Sequence, residues 1–145
     1  HLNQKNINIK NIIIFIFIFM FRKREANCMN FREQHSFEKR KEESLRMRTK
    51  YPDRTPVIIE KSPNETYLSS LEKTKFLVPC DLTIGQLLYV IRRRLKLAPE
   101  KALFFLVEGT MPASTAIVSS VYNNSKNLDG FLYITYNSES TFGSH

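Results

Sequence analysis

The sequence contains no tryptophan, two cysteines, three histidines and four glycines. Cys28 and Cys80 lie far apart, build no disulfide framework and match no metal-ligand spacing, so reduced thiols in a cytosolic protein are expected. Scarce glycine excludes a collagen-like run. There is no phosphate-cradling glycine loop, no nucleophile elbow and no metal-ligand cluster. His1 and His145 sit at the two ends, and His35 is read as a capping or surface residue, which disfavours an enzyme. No apolar run approaches the about 20 residues that a helix needs to cross a bilayer.

The positive charge is unevenly placed. The net charge is +8 over 145 residues. Residues 1–50 hold 12 Lys and Arg against 5 acidic residues, and residues 51–145 hold 10 against 9. A nearly neutral body with a basic N-terminal third points to an arm for an acidic partner or membrane surface. It argues against a nucleic-acid binder, which carries its cations on a folded face.

Residues 1–28 stand apart. They are rich in Asn, Lys, Ile and Phe, and their apolar stretch, Ile12 to Phe21, runs for ten residues before Arg22, Lys23 and Arg24. One reading is translated sequence upstream of a start at Met29. The other is a membrane-attaching or targeting segment. The segment is treated as an unstructured or non-native extension, and the fold is read from residue 29 onward.

From Asn30 to Arg48 a charged stretch without Pro or Gly is expected to form a surface helix or two short ones, with Phe37, Leu45 and Met47 on a thin apolar stripe. Tyr51 and Pro52 end it. Val57 to Ile59 read as a strand after Pro56, Ser62 to Ser70 as a loop, and Lys75 to Val78 as a strand stopped by Pro79, the two strands pairing antiparallel. Ile84, Leu87, Leu88, Ile91 and Leu95 mark one face of a helix, capped by Asp81 or Thr83 and ending in Arg92, Arg93 and Arg94, read as a solvated terminus. Ala102 to Val107 reads as a buried strand, and Glu108 to Thr110 as a turn. Ser114 or Thr115 is expected to cap a short helix burying Ile117, Val118 and Val121. Asn123 to Gly130 is a loop, and Phe131 to Tyr136 a strand suited to a sheet centre. The element order gives an α+β class.

Several segments then carry a resemblance. His35-Ser36-Phe37-Glu38-Lys39-Arg40, Lys50-Tyr51-Pro52-Asp53-Arg54, Phe76-Leu77-Val78-Pro79, Asp81 to Gln86, Ala102 to Phe105, Asp129 to Tyr133 and Ser140-Thr141-Phe142-Gly143 occur in this order. Together they resemble the GABARAP-type ubiquitin-like autophagy modifiers, over the chain from about Asn30 onward. The resemblance implies a ubiquitin-like β-grasp fold, a four-stranded mixed sheet crossed by a helix and preceded by an N-terminal helical subdomain. It divides the chain into the extension 1–28, a helical region 29–52, the β-grasp domain 53–137 and a flexible tail 138–145.

The resemblance also implies the chemistry. A processing cysteine protease would cut Gly143–Ser144, and ubiquitin-like activating and conjugating enzymes would pass the Gly143 carboxyl to phosphatidylethanolamine. The protein would thus be a substrate with no catalytic group and no cofactor beyond that covalent lipid. It would sit on autophagosomal membranes, with vacuolar or lysosomal and cytoskeletal pools. A cleft gripping an extended tail needs a residue without Cβ, although a glycine near a chain end is ordinary on its own. Cargo receptors with aromatic-x-x-aliphatic motifs would add as a strand along Lys75 to Val78. By resemblance the aromatic pocket takes Glu43, Met47, Pro56, Lys75, Leu77 and Phe131, and the aliphatic pocket Phe76, Val78, Pro79, Leu82, Leu87 and Val90. Arg54 and Lys75 would attract acidic residues preceding the motif. From spacing alone, Leu87 and Phe131 are as well suited to the core.

Three departures stand out. The Ser62 to Ser70 loop is about one residue longer than is usual in the family, Met47 and Leu87 stand where bulkier or β-branched residues are common, and Cys80 beside the groove is read as inert. Leu77→Arg is expected to block the groove without unfolding the domain. The competing reading is a non-covalent adaptor whose basic helix meets tubulin or a trafficking receptor.

Overall fold

In the computed structural model, residues 29–139 are described. The expectations for residues 1–28 and for Gly143 lie outside them. The N-terminal region forms two helices, α1 (Phe31–Gln34) and α2 (Phe37–Lys50). The four residues of α1 cannot hold a helix by themselves. Asn30 caps it by accepting from the Glu33 amide, and the Phe31 amide donates to Glu60 Oε2 at 2.9 Å, tying the helix to the sheet. Ser36 caps α2, which stops before Tyr51 and Pro52 as expected. The apolar stripe is different. Phe37 and Leu45 are exposed, and the residues that anchor the region are Phe31 and Met47.

Four strands follow: β1 (Arg54–Lys61), β2 (Lys75–Pro79), β3 (Phe104–Leu106) and β4 (Leu132–Asn137). Their spatial order is β2-β1-β4-β3. β1 pairs antiparallel with β2 and parallel with β4, and β3 pairs antiparallel with β4. This is a mixed sheet with β1 and β4 at its centre. Pro56 sits in central β1 without disturbing a ladder, because β4 begins opposite Val57, one residue further on.

Alternation along the strands sorts side chains to two cores. Val57, Ile59, Phe76, Val78, Leu132, Ile134 and Tyr136 pack under α3 (Ile84–Arg94) with Leu87, Val90 and Ile91. Ile58, Leu77 and Phe131 pack on the other face against Phe31 and Met47. β1 is therefore buried on both faces, which is why it reads as a continuous apolar run. Thr83 and Gln86 form a reciprocal capping box at the start of α3.

Three expectations change. Helix α4 (Val118–Ser125) starts after Ile117 without a side-chain cap, so neither Ser114 nor Thr115 caps it. Ile117 is exposed, while Val118 and Tyr122 are buried. Of the Ala102 to Val107 run only three residues enter the sheet, on its edge. The arginine run is not simply solvated. Arg92 donates to the carbonyls of Lys101 (2.6 Å) and Ala98 (3.0 Å), holding the loop after α3, and burial lowers the pKa of Arg94.

Candidate functional site

Backbone polarity along β2 defines the site. Ile59 donates to the Thr74 carbonyl at 2.8 Å and Cys80 to that of Asp53 at 3.1 Å. In an antiparallel ladder these bonds alternate, so Val57 with Phe76 and Thr55 with Val78 are the hydrogen-bonded pairs. Lys75 and Leu77 form the intervening pairs, and their N–H and C=O groups point away from β1. Among the described residues no strand lies on that side of β2. An extended peptide finds donors and acceptors there at a two-residue repeat.

The two sides of this edge differ. Lys75 and Leu77 face the N-terminal helices, where Leu77 packs with Met47 and Phe131, two others of the set named for the aromatic pocket. Glu43, one turn before Met47 on α2, forms an ion pair with Lys75 beside this cluster. Phe76 and Val78 face the opposite way, toward Leu82, Leu87 and Val90. The structure thus groups the two sets on opposite faces of one edge strand. Pro56 is buried opposite Leu77, and Arg54 pairs in register with Pro79 at the far end.

These side chains are packed rather than exposed. Leu77, Phe76, Val78, Leu87 and Phe131 are all 0% exposed. This changes one expectation. An arginine at Leu77 would be buried among Phe31, Met47, Ile58 and Phe131, so Leu77→Arg is expected to lower folding stability markedly in thermal denaturation.

One wall of the site is held by a residue the sequence reading did not single out for this role. Asp129 is fully buried before β4. Its Oδ2 accepts from Arg40 Nη1 of α2 at 2.6 Å and from Tyr133 Oη at 2.5 Å, and its Oδ1 from the Phe131 amide at 2.9 Å. Burial first, and then the bond to Asp129, push the Tyr133 phenol above its ordinary value, so it stays a donor. Ser44 donates to the Asp129 carbonyl, and α2 comes so close that a Cβ on Gly130 (φ +91°) would lie 2.3 Å from Ser44 Oγ. Glycine is required there for space and conformation. An Asp-Gly pair before an aromatic strand was the available signal, but its partner on α2 lies 89 residues away.

His35 ends α1 and stacks near Phe31, with ring centroids 4.7 Å apart, and burial lowers its pKa. Among the described residues no group of three or more His, Cys, Asp and Glu side chains could hold a metal ion. No described helix is long and apolar enough to cross a membrane.

A mixed sheet crossed by one helix, backed by a helical pair and with β2 at its edge, defines a ubiquitin-like domain. Residues 39–143 match the family model described as "Autophagy protein Atg8 ubiquitin like", and the chain belongs to that family. "Autophagy-related protein 8" of Mycosarcoma maydis is 55% identical over 113 residues, covering 78% of this chain and 95% of the relative. The protein of that name in Schizosaccharomyces pombe is 53% identical over 113 residues, covering 78% of this chain and 93% of its own. The crystal structure of Trypanosoma brucei ATG8 superimposes with a TM-score of 0.73 at 40% identity, covering 81% of this chain and all of that one. The protein is therefore a ubiquitin-like modifier of autophagy, a class that works with conjugation machinery and receptors and associates with autophagosomes.

Proposed function

We propose that this chain is a GABARAP-type member of the family, processed after Gly143 and joined there to phosphatidylethanolamine. The observation that carries the reading is the extent of the family match, whose last residue is 143, the glycine itself. Hydrolysis of the Gly143–Ser144 peptide bond by a cysteine protease frees a carboxylate. The activating enzyme adenylates this carboxylate with ATP and releases pyrophosphate. An enzyme thiol displaces AMP to give the thioester that the conjugating enzyme carries, and the lipid amine displaces that thiol to form an amide. Two acyl chains then hold the protein firmly, where one would hold it marginally. Incubation with the family's processing protease is expected to remove the mass of Ser144 and His145. An unchanged intact mass overturns the reading.

The β2 edge is proposed to take aromatic-x-x-aliphatic motifs of cargo receptors. The outward backbone of Lys75 and Leu77 supports strand addition, and the two clusters beside it support alternate side-chain pockets. Lys75 supplies a partly buried cation for acidic residues before the motif. Lys75→Glu is expected to weaken an acidic Trp-x-x-Leu peptide roughly tenfold, with the difference shrinking as salt rises. Equal affinities by calorimetry would remove Lys75 from the site. The exposed Lys39, Lys41, Arg46, Arg48 and Lys50 of α2 support non-covalent contact with acidic surfaces such as tubulin tails, in a cytoskeletal pool beside the membrane-bound and vacuolar or lysosomal ones.

A further inference from the structure

Where the tail leaves the sheet, the loop between β1 and β2 holds a carboxylate that neither the groove nor the fold of the two cores uses. Glu65 is 4% exposed. Its Oε2 accepts from the amides of Tyr67 (2.5 Å) and Leu68 (2.7 Å) of its own loop. Its Oε1 accepts both the amide (2.7 Å) and the hydroxyl (2.5 Å) of Ser138. Burial alone would raise its pKa, but these four donors outweigh it and hold the carboxyl below its ordinary value.

The contact lies at a boundary. Pairing of β4 with β1 closes where the Ser62 amide donates to the Tyr136 carbonyl at 3.0 Å, and β4 ends at Asn137. Ser138 has left the ladder, and the Glu65 side chain takes the place of a strand for it. The anchor itself is firm. Tyr136 Oη donates to the Ser69 carbonyl at 2.6 Å and accepts from the Leu71 amide at 3.1 Å, and Leu68 and Leu71 are buried in the main core. Gly143 is five residues beyond Ser138 (143 − 138), a reach of at most about 18 Å in extended chain.

We infer that Glu65 is a positioning residue for the tail: through Ser138 it fixes the point and direction from which residues 139–143 leave the domain, and so favours entry of the Gly143–Ser144 bond into the processing protease. The inference rests on Gly143 being the processing site. The physical reason is entropic. A protease cleft must immobilise the tail, and a tail base already fixed at Ser138 leaves fewer backbone residues to order.

The test compares the full chain with Glu65→Ala and Ser138→Ala, reading amide hydrogen exchange at Ser138, thermal midpoints, and KM and kcat for cleavage by the family's protease. Ser138→Ala leaves the loop contacts of Glu65 intact, so it remains informative if Glu65→Ala folds poorly. The parent is expected to show a protected Ser138 amide, lost in Glu65→Ala. KM is expected to rise roughly tenfold in Glu65→Ala, the weight of fixing about one backbone residue, with kcat little changed. Ser138→Ala should show a smaller rise with its midpoint kept. A fast-exchanging Ser138 in a parent that is cut, or unchanged KM in both variants, overturns the inference. A parent with a protected Ser138 that is not cut would instead remove the processing reading, and the positioning role with it, while the contact stands.

Discussion

An Asp129→Ala chain is expected to lose about 3–5 kcal/mol of folding stability, a large share of the about 5–15 kcal/mol that a domain has. Three donors, Arg40 Nη1, Tyr133 Oη and the Phe131 amide, converge on this carboxylate with none of it exposed. Removing it strands the guanidinium and the phenol without their acceptor in a poorly hydrated place. The cost falls on one side of the molecule. Arg40 is on α2 and Tyr133 on β4, so the N-terminal helices lose one of their polar ties to the sheet, while the main core under α3 keeps its contacts. Denaturant unfolding measures the loss. Asp129→Asn keeps a neutral acceptor and should retain part of it. A loss under about 1 kcal/mol for Asp129→Ala, the size of an ordinary surface change, would show that this carboxylate contributes little to holding the helices.

A Gly143→Ala chain is expected to be recovered entirely in the soluble fraction of cells, with no membrane-attached form. A methyl group at the carbon beside the scissile bond meets the walls of any cleft shaped around a bare backbone. The same chain should bind a Trp-x-x-Leu peptide as the parent does, since the β2 edge lies within the folded domain and Gly143 follows it by more than 60 residues (143 − 79 = 64). Fractionation and peptide titration on one preparation therefore separate the two activities. Membrane attachment at the parental level would move the conjugated carboxyl away from Gly143. Lost peptide binding would show that the tail contributes to the groove.

Some of this was legible in the sequence. Helix α3 was readable because Ile84, Leu87, Leu88 and Ile91 recur at its period, and of the two caps expected, Asp81 or Thr83, it is Thr83 that caps it. β1 and β4 were readable because β-branched and aromatic residues crowd them, and the Asn30 and Ser36 caps account for two helices where one or two were expected. Phe37 and Leu45 misled because an exposed apolar residue on a charged helix looks the same in sequence as a packed one. Ile117 misled because the first amides of α4, those of Val118 and Ser119, donate to the carbonyls of Leu82 and Cys80, so no polar side chain nearby in sequence marks its start. For the candidate site, the edge strand was readable as an isolated short apolar run before a proline. The burial of most of the residues named for its pockets was not, because whether Leu77 is exposed or packed depends on what stands opposite.

The sequence by itself determined the order of the elements, the face that α3 buries and the basic character of the N-terminal arm, because periodicity and charge are local properties of the chain. Only the tertiary structure decided that β4 lies between β1 and β3, and that Phe76 and Leu77, adjacent in sequence, belong to separate clusters. It alone decided that Asp129 and Glu65 hold the N-terminal helices and the tail base. Arg40 and Asp129 are 89 residues apart and Glu65 and Ser138 73 apart. A carboxylate's partners at such separations follow from the closure of the sheet, which no local pattern records.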